Sequence, residues 1–417
     1  MASDPASAPA REPHPGNGRR AVLRALTGGG ALAALSLTTA PQAAAAAQHT
    51  APAASSDADP FALDRFVTSG RVREYWIQAD SFPHNAVPNG RDGMTGMTYT
   101  ADQTTYQAIG FRAYTPNWGS PLPADLGPYG IGPNSGIPGP VLRGEVGDLI
   151  KVHFRNNDAH YKWPHSMHPH GVRYSPDNDG GWMADDAKKA GTAVAFGESY
   201  TYTWQCTPGS VGSWPYHDHA APQVPPRPAT SGGTQGSSQG SAKGGSQGGG
   251  QNGAQSSGAG GDAHGAQSFG GGGGMVGEIG AELGLFGMIA VTDAGTPQVD
   301  REFVLFMHDL SAGDASGRAD LSLCNGAAFV DNAPTFTAKA GERVRWRVGT
   351  LGNSFHVFHI HGHRWQSPAG WVDSQVLGPA TTLTVEYRED NPGEWLYHCH
   401  LPAHMMRGMA GRYVVTR

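Results

Sequence analysis

The feature that most restricts the fold is that the sequence is written twice. Pro140-Val141-Leu142 leads through Gly147-Asp148 into an alternating stretch and then His168-Pro169-His170-Gly171. Pro334-Thr335-Phe336 leads through Gly341-Glu342 into a similar stretch and then His359-Ile360-His361-Gly362. Trp214-Pro215-Tyr216-His217-Asp218-His219 mirrors Trp395-Leu396-Tyr397-His398-Cys399-His400, and Gly287–Thr292 mirrors Gly411–Thr416. A repeat on this scale is one structural unit used twice. Stretches such as Leu149–Arg155, Tyr200–Trp204, Val344–Val348 and Leu383–Tyr387 alternate apolar and polar residues between Gly, Pro and Asn punctuation, which predicts half-buried strands. No amphipathic helix longer than two turns is expected. The reading is an all-β chain of two Greek-key β-sandwich domains, with the boundary near residue 295.

Histidine is over-used, at 19 of 417 residues. Chance alone gives about 0.9 His-x-His pairs at that frequency. Five occur, at 168/170, 217/219, 359/361, 361/363 and 398/400. In a strand, residues i and i+2 share a face, so each pair offers two imidazoles to one metal cluster. Cys399, between His398 and His400, must then point the other way, and one short strand serves two metal sites. A thiolate, two imidazoles and a thioether form a blue-copper donor set, supplied by His356, Cys399, His404 and Met409. The pairs 168/170, 217/219, 359/361 and 398/400 supply eight further imidazoles, enough for a three-copper cluster. A zinc or storage site on strands is the plain alternative for these ten histidines.

These segments resemble the multicopper oxidases, over the whole chain except its N-terminal leader and a Gly-rich tract. The His217-Asp218-His219 motif and the phrase His359-Ile360-His361-Gly362-His363-Arg364-Trp365 are most similar to the bacterial small, two-domain laccases. The resemblance implies two cupredoxin sandwiches and four coppers per functional unit. A type 1 copper would sit at His356, Cys399, His404 and Met409. A type 2 copper would sit at His168 and His359, and a type 3 pair at His170, His217, His219, His361, His398 and His400. It implies one-electron oxidation of phenols or aromatic amines, coupled through Cys399 to four-electron reduction of dioxygen to water. Asp218 stands where Cys399 stands and Leu285 where Met409 stands, so the first domain offers cluster ligands only. The cluster must therefore form where a first domain meets a second. The resemblance places it between subunits of a homotrimer; an interface within one chain stays open. A metallo-oxidase acting on Cu(I) or Mn(II), a copper nitrite reductase and a non-catalytic copper carrier are the rival readings.

Tyr174 and Asp179 follow His170 by four and nine residues. They are the candidates for a redox-active neighbour and for proton delivery, against ordinary packing around a turn at Asn178-Asp179-Gly180-Gly181. His363 is a candidate support for the cluster ligands. Met94, Met97, Met405 and Met406 are read chiefly as core filler. Cys206 and Cys324 either pair or stay as two buried thiols.

Arg19-Arg20, a mild apolar stretch and small residues up to Ala47 resemble a twin-arginine export signal over residues 1–47, followed by delivery outside the cytoplasm. Arg24 and Gly28-Gly29-Gly30 interrupt that stretch, so no membrane span is expected in the mature chain. The first domain is assigned to 60–295 and the second to 296–417. A Gly/Ser/Gln tract at about 225–274 cannot offset its own chain entropy and is expected to be disordered. Charged residues are only 15% of the chain and the net charge is −6, which leaves no basic surplus, and no nucleic-acid partner is expected.

Overall fold

The strands predicted from alternation form two sandwiches. A computed structural model describes residues 70–124, 134–220, 276–310 and 320–417; the export signal and the Gly-rich tract lie outside these. The first sandwich contains β1 (Val72–Asn85), β2 (Thr105–Tyr114), β3 (Leu142–Glu145), β4 (Leu149–Asn157), β5 (His168–Pro169), β6 (Ser199–Gln205), β7 (Gly212–His217) and β8 (Phe286–Thr292). Its sheets run β2-β1-β4-β6 and β3-β8-β7-β5. The second contains β9 (Arg301–Leu310), β10 (Leu321–Cys324), β11 (Phe336–Lys339), β12 (Arg343–Leu351), β13 (His356–Ile360), β14 (Trp365–Ser367), β15 (Gly370–Val372), β16 (Ser374–Leu377), β17 (Thr382–Arg388), β18 (Gly393–Cys399) and β19 (Ala410–Thr416). Its sheets run β10-β9-β12-β17 and β11-β19-β18-β13-β16. Strand for strand the order is the same, except that the second sandwich adds β16 at the edge beside β13 and the separate hairpin β14–β15. The fold is two cupredoxin sandwiches.

The repeated residues explain themselves in this frame. Tyr216 and Tyr397, buried in their cores, each donate a hydroxyl hydrogen bond at 2.7 Å, to the carbonyls of Pro140 and Pro334. The glycine after each second histidine has positive φ, 69° at Gly171 and 71° at Gly362, a region other residues rarely adopt. A Cβ at Gly171 would also collide with the Trp214 ring.

Alternation is clean in β4, whose even positions alone are buried, whereas β12 is buried on both faces. The difference is the seam between the sandwiches. Leu351 joins a core shared with Phe306 and Ile289, and buried Arg347 reaches across to Ser213 Oγ at 2.8 Å. Glu302 holds Arg347, Arg345 and Arg143 together at 2.6–3.2 Å. Cys206 and Cys324 are both free and buried, in different cores. Met94 and Met97, on the loop after β1, and Met406, at the end of the short helix Pro402–Met406, are exposed rather than core filler, because they lie outside both sandwiches. Among the described residues no helix is long and apolar enough to cross a membrane.

Candidate metal centres

Strand register gathers the histidines into two quartets. His168 pairs with His217 across β5–β7, and His359 with His398 across β13–β18. Ring centroids of five pairs within the first quartet (His168, His170, His217, His219) lie 5.0–5.8 Å apart. Those of the five corresponding pairs in the second (His359, His361, His398, His400) lie 5.0–5.4 Å apart. The Nε2 atoms of His170 and His217 approach to 3.1 Å, and those of His361 and His398 to 3.0 Å.

Backbone carbonyls fix the tautomers. Nδ1–H of His168 and of His359 donates at 2.7 Å to the carbonyls of Asp179 and Asp373. Nδ1–H of His217 and of His398 donates at 2.9 Å to those of Asp218 and Cys399. Each of these four rings is left with an Nε2 lone pair, the arrangement a metal ligand needs. Burial disfavours the charged form of five of the quartet rings: it brings His170 down to about 4 and His217 to about 3, and lowers His168, His361 and His398. His219 Nδ1 is buried with no hydrogen-bond partner among the described residues. Bare, neutral, converging nitrogens fit a metal cluster far better than a hydrogen-bonded core.

The third group is His356, Cys399 and His404, whose donor atoms all lie within 4.8 Å of one another. Cys399 Sγ is 3.6 Å from His404 Nδ1 and 4.0 Å from His356 Nδ1, and it accepts the Val357 N–H at 3.3 Å. Burial pushes the thiol up and lowers His356 to about 4. Met409 is fully buried in the same core as Cys399, and its carbonyl accepts the Cys399 N–H at 3.1 Å. A soft thiolate with two imidazoles suits copper.

Tyr174 and Asp179 both stand at the first quartet. Asp179 Oδ1 is 3.4 Å from His168 Nδ1, and the Tyr174 ring lies edge-on to His168 at 6.2 Å. Burial and the Asp179 carboxylate push the Tyr174 phenol up to about 12.

Two sets of residues escaped the sequence reading. His165 occupies the place of His356, because His165-x2-His168 repeats His356-x2-His359. Its Nδ1 lies 2.6 Å from Asp218 Oδ2 and its Nε2 3.2 Å from Asp158 Oδ2, with all three side chains buried. The Asp218 N–H donates to the Leu285 carbonyl at 3.0 Å, the same contact Cys399 makes with Met409. The second set surrounds His363, whose Nδ1–H donates to the His361 carbonyl at 2.7 Å while Nε2 meets Glu389 at 2.9 Å.

Comparison with known proteins agrees with this chemistry. Two family profiles, both described as multicopper oxidase, match residues 124–234 and 303–417. The chain is 27% identical over 342 residues to a probable nitrite reductase-hydroxylamine oxidoreductase fusion protein of Kuenenia stuttgartiensis, covering 78% of this chain and 32% of that one. It is 26% identical over 403 residues to the ferroxidase HEPHL1 of Homo sapiens, covering 83% and 29%. The chain thus spans about a third of the length of the curated relatives it matches. Among solved structures, a multicopper oxidase superposes with TM-score 0.53 at 20% identity, covering 83% of this chain and 89% of that one. A copper nitrite reductase from Nitrosomonas europaea superposes with TM-score 0.53 at 16% identity, covering 83% and 94%. Repeated sandwiches, histidine quartets, a Cys–His–His group and both profiles lead to one family: the chain belongs to the multicopper oxidases.

Proposed function

We propose that the chain is an exported two-domain oxidase of the small-laccase type, with domains at 60–295 and 296–417 behind a signal at 1–47. It takes electrons singly from phenols or aromatic amines and reduces dioxygen to water. His356, Cys399, His404 and Met409 would hold a type 1 copper. His168 and His359 would hold a type 2 copper, and the other six quartet histidines a type 3 pair. Bound copper supplies the one-electron acceptor at Cys399 and the site of dioxygen reduction at the quartets.

The chain's own residues do the rest. Cys399 lies between His398 and His400, so a few covalent bonds separate the donor side from the dioxygen side. Carbonyl bonds aim four Nε2 atoms. Asp179, beside His168, is placed to pass protons inward, with Tyr174 as its hydrogen-bonded neighbour.

The observation that carries this reading is the coexistence of one cysteine group and two quartets on strands that share residues. Every ring contact between quartet histidines stays inside one quartet. Among the described residues, no metal-sized group mixes the two quartets. A cluster of eight histidines therefore needs a second copy of the chain, which supports a homotrimer with clusters at its subunit interfaces. The eight histidines also argue against a nitrite reductase, which has no use for a type 3 pair.

A second reading, oxidation of metal ions, is favoured by one observation. The exposed side chain of Met406 lies two residues beyond His404 and offers a soft thioether donor of the kind cuprous ions prefer. Loading the protein with copper and recording its absorption, then dioxygen uptake with 2,6-dimethoxyphenol, Cu(I) or Mn(II), separates these possibilities. A blue band with phenol-driven uptake is expected; a blue band with uptake driven by metal ions alone would select the second reading. A colourless protein, or colour without uptake, would overturn both.

A further inference from the structure

His361 is one of the quartet ligands whose Nδ1 is not fixed by a backbone carbonyl. It lies one residue beyond the end of β13, in a turn, and none of the hydrogen bonds that fix its neighbours' Nδ1 atoms reaches its ring. What the fold does hold is its backbone. Its N–H donates to the Leu396 carbonyl at 2.9 Å and its carbonyl accepts from His363 Nδ1. His363 is held in turn by Glu389, whose carboxylate also accepts the Tyr413 hydroxyl at 2.5 Å and the Asn391 N–H at 3.1 Å. His363, Glu389 and Tyr413 are 7%, 1% and 0% exposed. The trio joins the end of β17, in one sheet, to β19 and the β13 turn in the other.

The first sandwich is an internal control. His170-Gly171-Val172 matches His361-Gly362-His363. The registers Leu149–Gln205 and Arg343–Arg388 put Cys206 opposite Glu389 in the repeat, and Trp214–Ile289 and Trp395–Tyr413 put Ile289 opposite Tyr413. The counterpart trio Val172, Cys206 and Ile289 is apolar and buried in the first core. There the His170 carbonyl is satisfied by the Val172 backbone N–H at 2.9 Å. The fold thus closes well with an apolar trio, and a buried ionic one is no routine route to stability.

We infer that His363, Glu389 and Tyr413 form a positioning clamp that holds His361 in place for the metal. The inference rests on the copper assignment of His361. His363 is held at both ring nitrogens, by the His361 carbonyl at Nδ1 and the Glu389 carboxylate at Nε2, so the ring's position and that of the His361 backbone are fixed together. Partners of this kind change metal affinity about 10–100-fold when removed.

The test uses the full chain, loaded with copper and then challenged with a chelator, with the blue band and the near-ultraviolet type 3 shoulder followed separately. H363V is expected to lose the shoulder copper about 10-fold more readily while keeping the blue band. H363N, whose amide nitrogen mimics Nδ1, is expected to restore retention. H363V/E389L/Y413F makes the whole trio apolar at similar volume, so it should unfold near the wild-type temperature without copper and still release the shoulder copper early. The clamp is refuted if either H363V or the triple variant retains shoulder copper like wild type, or if loss of the blue band and of the fold always accompanies loss of the shoulder. Wild-type protein that never develops the shoulder would instead overturn the copper assignment, and the clamp with it.

Discussion

Replacing His165 with alanine should destabilise the copper-free protein in a strongly pH-dependent way. His165 lies between Asp218 and Asp158, whose carboxylates are 1% and 0% exposed. Asp218 takes the Ser166 and Ala220 N–H groups at 2.9 and 3.1 Å, and Asp158 takes the Tyr161 N–H at 3.0 Å. Those bonds orient the carboxylates without neutralising them. Burial alone would lower His165, but Asp218 and Asp158 together raise it to about 9. A rise from about 6.5 to about 9, at 1.36 kcal/mol per unit, corresponds to about 3 kcal/mol for this fully buried ring. Removing one member of a buried ion pair costs about 3–5 kcal/mol by independent precedent. Because the folded value is raised, this stability is complete below about pH 6.5 and is lost as pH rises through about 9. Scanning calorimetry of apo H165A should show a midpoint lower by about 10 °C in mildly acidic buffer and a much smaller deficit above about pH 10. A deficit under about 1 kcal/mol in acid, or one of the same size at both pH values, would refute the reasoning.

Asp179→Asn should slow dioxygen turnover by about 10²-fold, the scale of a lost proton carrier, with copper content and blue band unchanged; copper loss on this substitution would make Asp179 a support for His168 instead. Co-expressing an H170A chain with an H361A chain should recover about a quarter of wild-type turnover, since three in four random trimers are mixed and each has one interface with two intact quartets. Complete inactivity of the mixture, with both chains folded and co-purifying, would place the cluster within one subunit.

Much of this was legible in the sequence, for a physical reason. Strand alternation and His-x-His spacing are both period-two signals, so the pattern that predicts a strand also predicts which imidazoles share its face. Met409 and Leu285 could be matched because each closes the same backbone contact, to Cys399 and to Asp218. What stayed hidden lies across the sheets. His165 is a lone histidine until Asp158 and Asp218 are seen beside it, although its spacing from His168 was a usable signal. Glu389 follows a strand and reads as a surface charge; only register shows that it faces Tyr413 and His363. Both faces of β12 are buried because the sandwiches pack there, which no local pattern encodes.

The two halves share a fold but differ in where they bury charge. In the first, Asp218 and His165 fill the positions that Cys399 and His356 hold in the second, and their ion pair leaves no soft donor and no bare nitrogen for copper. In the second, Glu389 and His363 fill positions held by Cys206 and Val172 in the first. Had ion pairs served stability alone, the same position would do in both copies, since the surrounding strands superimpose in order and register. Each pair instead stands within two residues of its own quartet: Asp218 between His217 and His219, His363 two residues from His361. On the copper assignment, the first pair closes a would-be electron entry and the second steadies a ligand of the cluster, so that the one entry at Cys399 feeds a cluster whose ligand His361 is held in place.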